Sequence, residues 1–360
     1  MTQTGDAMSR CFDAQEADAI GKLNSDLVRV VVAVPTLNEA GSLKGVISAL
    51  VRDQTELVNL NIVIADGGST DGTVDIAKEL ANDNSCVHYI HNPKRIQAAA
   101  INLVAREWAG RADVIVRCDA HAGYPRRFVS SLIEAIEQHA VQSVVVPMDS
   151  HGHGCVGKSV AWVSDTVLGS GGSSHRGGRR SGFVDHGHHA AFVLKDFLDN
   201  GGYDETFSHN EDAELDCRLT AGGCRIYLDS SIRVQYYPRE SLSSLWKQYF
   251  NYGRGRSRTI RKHPKSIGIR QFLVPAHAFI FFASILLYLI IGNLLFLAWP
   301  ILYLSILMAF SIYIAVSKRD WCGLLAGVSA ATMHTAWASG FIWGLLTQPE
   351  VRWVPAGRSS

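Results

Sequence analysis

Val28-Arg29-Val30-Val31-Val32-Ala33-Val34-Pro35-Thr36-Leu37-Asn38-Glu39 is the stretch on which the fold turns. Residues 28–34 form a β-branched, mostly apolar run that stops at a proline. Continuous rather than alternating hydrophobicity marks a strand buried on both faces of a parallel sheet. The pattern recurs at 61–65, 87–90, 114–116 and 143–146, with helical segments near 42–52, 73–82, 96–108 and 128–139 in between. That alternation predicts an α/β protein with a doubly wound, mostly parallel sheet. Ligands of such sheets bind beyond the carboxyl ends of the strands, where residues 35–39, Asp66 and Asp119 fall.

At 360 residues and 47% apolar composition the chain has material for one large core or two smaller ones. A net charge of +1 gives no general attraction to nucleic acid, which is not expected as a partner. Seven cysteines, with no CxxC pair, indicate neither a zinc ribbon nor a disulfide framework, and fit a reducing compartment. Residues 1–27 are polar, carry no signal-type apolar core and read as an N-terminal extension.

Hydropathy changes character past residue 240. The aromatic and polar mixture at 242–252 reads as a helix in a membrane interface, and 254–270 carry seven Lys or Arg and no acid. Residues 272–291 hold no formal charge, and 20 residues at about 1.5 Å each cross a core of about 30 Å. Gly292-Asn293 breaks this run, and 294–316 form a second one, so the pair reads as a helical hairpin. Residues 321–347, diluted by Ser, Thr, Gly and His334, read as a third crossing rather than an interfacial segment. Basic residues before the first span and at Lys318-Arg319 place the α/β domain on the cytoplasmic side of the inner membrane. The expected divisions are 1–27, a catalytic domain at 28–240, an interfacial segment at 241–271, a membrane domain of two or three transmembrane helices at 272–347, and a tail at 348–360.

Three acidic clusters carry the chemistry. Residues 34–39 open a helix whose backbone N–H groups could face an anion, although Asn38 or Ser42 could simply cap it. Asp66, in Asp66-Gly67-Gly68-Ser69-Thr70-Asp71-Gly72-Thr73, could accept the imide N–H of uracil or organise a turn. Asp119 and His121, at i and i+2 beyond a strand, could bracket a divalent cation, with imidazole suiting Mn²⁺ better than Mg²⁺. His209-Asn210-Glu211-Asp212 starts a helix capped by Asn210, where Asp212 could take a proton from a hydroxyl. Residues 169–189 read as a long loop over the site, whose Arg176, Arg179 and Arg180, with His175, His186, His188 and His189, could bind a diphosphate or equally belong to a solvated loop.

Taken together, Val34-Pro35-Thr36-Leu37-Asn38-Glu39, Ala65-Asp66-Gly67-Gly68-Ser69-Thr70-Asp71-Gly72-Thr73, the strand-end Asp119, Gly201-Gly202-Tyr203-Asp204-Glu205 and Asn210-Glu211-Asp212 resemble, in order and spacing, the family 2 inverting glycosyltransferases. Asn92-Pro93-Lys94-Arg95-Ile96-Gln97 and Arg117-Cys118-Asp119-Ala120-His121-Ala122 are similar to the ExoA-type succinoglycan glucosyltransferases. The resemblance implies a GT-A fold, Rossmann-like with a mostly parallel sheet, followed by C-terminal transmembrane helices. It implies Asp212 as catalytic base, Pro35, Thr36, Glu39 and Asp66 as nucleotide contacts and Asp119 as the metal residue; Lys94 and Asp119 are further nucleotide-sugar candidates, and His121, standing where the family commonly has Asp, is the second metal candidate. Arg176, Arg179, Arg180, His188, Glu211 and Arg254 are the candidates for acceptor or diphosphate contacts. The expected partners are a UDP-sugar donor, a lipid-linked saccharide acceptor, the membrane and a polysaccharide assembly complex, and the expected cofactor is Mn²⁺ or Mg²⁺. Transfer to a polyprenyl phosphate, or a catalytically silent nucleotide-sugar-binding partner of an export complex, are the rival readings. Gln248 to Arg254 stand where processive synthases carry QxxRW, and the missing Trp argues against polymerisation.

Overall fold

A computed structural model describes residues 28–55, 59–172, 176, 178–349, 351, 353 and 354. The 1–27 extension and His175 lie outside the described residues, as does most of the tail. The first half follows the expected alternation: β1 (Val30–Thr36), α1 (Leu43–Val51), β2 (Leu60–Asp66), α2 (Thr73–Asp83), β3 (Val87–His91), α3 (Gln97–Glu107), β4 (Val114–Arg117) and α4 (Phe128–His139). Next come β5 (Ser143–Val145), β6 (Met148–Ser150), α5 (Gly154–Ser164), α6 (Val167–Ser170), β7 (Gly182–Phe183), β8 (His189–Val193), α7 (Leu194–Asp199), α8 (Glu211–Ala221), β9 (Ile226–Leu228) and β10 (Val234–Tyr236). Four long helices close the chain: α9 (Leu242–Lys262), α10 (Arg270–Ile291), α11 (Ala298–Lys318) and α12 (Ala326–Thr347).

The main sheet runs β3-β2-β1-β4-β8-β5-β9-β7. Its first four strands are parallel, whereas β8 enters between β4 and β5 antiparallel to both, so the sheet is mixed beyond the doubly wound half. Alternate residues of β1 feed opposite cores: Val30, Val32 and Val34 pack with α1 and α4, while Val31 and Ala33 pack with α3 and α7. This two-sided burial is why the run is continuous in sequence. Register sets Thr36 beside Asp66 and Ala33 beside Arg117, which brings three strand ends to one edge.

Past the sheet, several expectations change. The segment 169–189 is not all loop, since it contains the end of α6 and the short β7. Residues 242–262 form one continuous helix rather than an aromatic helix followed by a basic stretch. Arg258 donates to the Thr206 carbonyl at 2.7 Å, Lys262 pairs with Asp204 at 2.6 Å, and Arg261 bonds the Gln348 carbonyl, so these cations face protein rather than lipid. Among the described residues two segments, Gln271–Ile291 and Leu294–Lys318, are long and apolar enough to cross a membrane. α12 instead packs along α9: a Cβ on Gly340 would stand 1.9 Å from the Phe250 carbonyl oxygen, and one on Gly253 2.1 Å from that of Trp337. Small residues here serve close helix contact, a use that composition alone does not separate from a membrane span.

Cys155 and Cys322 form a disulfide, although the cysteine pattern indicated no disulfide framework. A separation of 167 residues hides such a pair from any spacing argument. Around it Lys158 pairs with Asp320 at 2.7 Å and Ser159 meets Ser329 at 2.7 Å. The segment leaving α11 is thereby tied to α5, and the hairpin returns to the α/β domain from which it left.

Candidate active site

The carboxyl ends of β1 and β4, the start of α8 and one face of α9 enclose a cavity of about 1760 Å³. Pro35, Thr36 and Glu39 line it. The backbone N–H groups just beyond are already used: Asn38 donates to Ser69 Oγ at 2.8 Å, Glu39 to Thr73 Oγ1 at 2.8 Å and Ala40 to Asp71 at 3.1 Å. This helix start therefore clasps the 66–73 loop instead of offering free donors to an anion. Asn38, in the left-handed region at φ 59°, closes the clasp by accepting from the Thr70 N–H at 2.9 Å. Neither Asn38 nor Ser42 makes a capping bond to α1; the Ser42 hydroxyl bonds Glu39.

Asp66 is fully buried, and its carboxylate accepts from the Gly68 and Ser69 N–H groups at 2.8 and 2.9 Å and from the Thr36 and Ser69 hydroxyls. Of its two readings, the turn-organising one is what this geometry displays. Gly67 is needed here because a Cβ would approach the Arg95 backbone to 3.2 Å.

At the end of β4, Asp119 accepts from the Gln97 amide at 2.7 Å, and its Oδ2 lies 4.0 Å from His188 Nε2. His188 Nδ1 lies 3.9 Å from Asp212, so one imidazole spans the two carboxylates. Burial, reinforced by nearby Arg117, pushes His188 down to about 4 and leaves it neutral at physiological pH. His121 turns away to Glu39, 2.8 Å distant, so the i, i+2 pair does not converge on one point. No cluster of three His, Cys, Asp or Glu with metal-holding geometry occurs among the described residues. The donor chemistry for a divalent cation is nevertheless present where a carboxylate and a neutral imidazole meet, at Asp119 and His188.

α8 begins at Glu211 after Asn210, which is held at φ 70°. The Asn210 side chain makes no cap and donates to Thr259 Oγ1 of α9 at 2.8 Å. Asp212 Oδ1 accepts from Arg117 Nη1 at 2.6 Å and from the Tyr203 hydroxyl at 2.8 Å. Burial, and then the Asp212 charge, push Glu211 up to about 7. Further along α8, burial opposes ionisation of Glu214, but bonds from His263 and Arg218 outweigh it and hold its carboxyl well below the usual range.

Of the residues singled out from sequence, Pro35, Thr36, Glu39, Asp119, His121, Arg176, His188, Glu211 and Asp212 line the cavity. Lys94 does not; it pairs with Glu205 at 2.5 Å on the outside, and Arg95 lines the cavity in its place. Arg179 and Arg180 are exposed away from it, and Arg254 also lies off its wall. Arg176 lies over the Tyr236 ring at 4.5 Å, with a buried Nη1 that has no hydrogen-bond partner. Sequence reading missed Gln97, Tyr203 and Arg117. The last left a signal: a lone arginine in the buried strand Val114–Arg117, where a charge needs carboxylate partners.

The family model for Glycosyl transferase family 2 matches residues 31–199. The chain belongs to this family and is a glycosyltransferase with a GT-A fold. It is 41% identical over 311 residues to the succinoglycan biosynthesis protein ExoA of Rhizobium meliloti (strain 1021), covering 86% of this chain and 93% of that one. A second relative is the dolichyl N-acetyl-alpha-D-glucosaminyl phosphate 3-beta-D-2,3-diacetamido-2,3-dideoxy-beta-D-glucuronosyltransferase of Methanococcus voltae, 25% identical over 88% of this chain and 97% of its own. Among solved structures, the mannosyltransferase PcManGT from Pyrobaculum calidifontis, in complex with GDP-Man and Mn²⁺, superposes with a TM-score of 0.59 over 93% of this chain and 94% of that one. At 16% identity that likeness is one of fold. The chain is thus a family 2 glycosyltransferase related to a protein of succinoglycan biosynthesis.

Proposed function

We propose that this enzyme moves a hexose, glucose from UDP-glucose, onto a lipid-diphosphate-linked saccharide at the cytoplasmic face of the inner membrane, in exopolysaccharide synthesis. The observation that carries the reading is the set of chemistries brought together in one cavity. Pro35 and Thr36 at the end of β1 with Asn92 after β3, the acids Asp119 and Asp212, the basic Lys262, His263 and Lys265, and the apolar Val274 of α10 with Met333 and Trp337 of α12 all line it. Nucleotide, reacting sugar, phosphate and apolar chain are the parts that such a pair of substrates presents. Relatedness to ExoA supports the succinoglycan-type setting.

In this reading Asp212 takes the proton of the acceptor hydroxyl as its oxygen attacks the anomeric carbon in line, and configuration inverts as the nucleoside diphosphate departs. Asp119 and His188 would hold a divalent cation, which when bound neutralises charge on the diphosphate. Arg176, with a buried N–H to offer, is assigned to a phosphate oxygen.

The test is a donor and acceptor screen on the full-length protein in detergent, reading radiolabelled sugar in the lipid extract. Transfer from UDP-glucose to a diphosphate-linked saccharide supports the reading. Transfer to unglycosylated polyprenyl monophosphate instead would establish the rival acceptor class.

A further inference from the structure

Arg117 is 7% exposed at the end of β4, yet it lies within 4 Å of three carboxylates from two segments: Asp119 just beyond the strand, and Glu211 and Asp212 at the start of α8. Nη1 bonds Asp212 at 2.6 Å, Nη2 is 3.8 Å from Glu211, and Nε is 3.8 Å from Asp119. Nη1 also donates to the Tyr203 hydroxyl at 3.2 Å, which in turn donates to the same Asp212 oxygen. Nε is buried with no hydrogen-bond partner. Burying a guanidinium costs several kcal/mol unless its partners are well placed. A purely structural salt bridge would be met by one carboxylate; here the cation is shared between the donor side, Asp119, and the acceptor side, Glu211 and Asp212.

We propose that Arg117 is a positioning residue for the transfer step, a clamp that with Tyr203 takes Oδ1 of Asp212 and so directs Oδ2, the oxygen nearer His188, toward the acceptor. This rests on Asp212 being the base. A planar fork is required: one guanidinium face reaches Asp212 and Tyr203 through Nη1, Glu211 through Nη2 and Asp119 through Nε, a span that a lysine ammonium cannot reproduce. Electrostatically, the clamp holds Asp119 and Asp212 at a fixed separation before any substrate arrives, so reorganisation is not needed during reaction.

The experiment compares Arg117→Met, Arg117→Lys and Tyr203→Phe with wild type in the full-length protein. It reads sugar transfer to lipid-linked acceptor, donor hydrolysis by water, and donor KM. Arg117→Met is expected to lower kcat for transfer by about 10²-fold, in the range of a misplaced general base, with donor KM changed by less than about threefold. Arg117→Lys should recover about a tenth of the wild-type rate, and Tyr203→Phe should lose about tenfold, since one of two Oδ1 donors remains. A melting curve and bound-nucleotide fluorescence establish that each variant folds; where Arg117→Met does not, Tyr203→Phe carries the test. Equal rates for Lys and Met, or unchanged kcat in the folded variants, would overturn the clamp. A rise in donor KM at constant kcat would make Arg117 a donor ligand instead. If wild type hydrolyses donor but transfers to no lipid acceptor, the functional reading fails, and the clamp is judged on hydrolysis alone.

Discussion

Gly255 of α9 lies directly on the backbone of His209, so that a Cβ at this position would stand 2.5 Å from the His209 carbonyl oxygen and 2.7 Å from Asn210 Cβ. α9 therefore seats the two residues that precede Glu211 and Asp212. Gly255→Ala must push the start of α8 away, because a backbone oxygen cannot swing aside as a side chain can. The expected outcome is a loss of transfer of about 10-fold or more, of the kind produced by small misplacements of reacting groups, with donor binding kept. Wild-type kcat in this variant would show that the contact is not what places the base.

Asp212→Asn removes the proton acceptor but keeps the shape that Arg117 and Tyr203 hold. Loss of transfer by about 10²- to 10⁴-fold is expected, with nucleotide binding retained in a calorimetric titration. More than half the wild-type turnover would exclude Asp212 as base.

Metal dependence separates His188 from His121. With His121 bonded to Glu39 at 2.8 Å and His188 4.0 Å from Asp119, His188→Ala should raise the Mn²⁺ concentration for half-maximal activity by about 10- to 100-fold. His121→Ala should change it by less than about threefold. EDTA should abolish wild-type activity; if it has no effect, the cation assignment to Asp119 and His188 is wrong.

Glu211 gives a stability signature. Its carboxyl is raised to about 7 by burial and by Asp212, so the folded chain holds this proton more tightly than the unfolded chain does. Between the ordinary carboxylate range and about 7 the folded state binds more protons, and stability therefore falls as pH rises through that window. Glu211→Gln removes the dependence. Measured in EDTA, the variant should be more stable than wild type at pH 8 by about 1–3 kcal/mol, with the gap closing toward pH 5. A gap that widens on acidification would contradict the direction of the shift.

The sheet was readable because parallel strands buried on both faces leave unbroken apolar runs, as 30–34 and 62–65 do. Strand-end acids followed, since β1 register alone carries Thr36 to Asp66. The meeting of Arg117, Tyr203, His188 and Asp212 was not readable, because it depends on β8 inserting antiparallel beside β4, a pairing between segments far apart in sequence. Lys94 misled for a local reason: it stands next to cavity-lining Arg95 and Asn92, but points to Glu205. The packing of α12 on α9 was not readable, because alanine and glycine facing a helix look, in composition, like residues facing lipid.

The C-terminal helices are more than an anchor, and truncation should reveal it. If residues beyond Arg270 only tethered the domain, their removal would leave a soluble nucleotide-binding protein, as the sequence suggests. Instead Leu245 of α9, Val160 and Val163 of α5, and Ala330 and Met333 of α12 share one buried cluster. Trp353 also lies against Arg218 and Lys262, the cations that hold Glu214 on the helix of the base. Ending the chain at 270 strips one side of that cluster and exposes apolar surface on α5 and α9, which favours association. The expected result is aggregation, or a melting temperature lowered by several degrees with weakened nucleotide binding. A variant that replaces only 271–318 with a long Gly/Ser linker keeps α12 in place. It loses Leu307 and Ile314 from the cluster but keeps Ala330 and Met333, so it should melt below wild type and above the chain ending at 270, and bind nucleotide, while losing activity on acceptor embedded in vesicles. A chain ending at 270 that melts and binds nucleotide like the full-length protein would show that α12 contributes nothing to the catalytic domain.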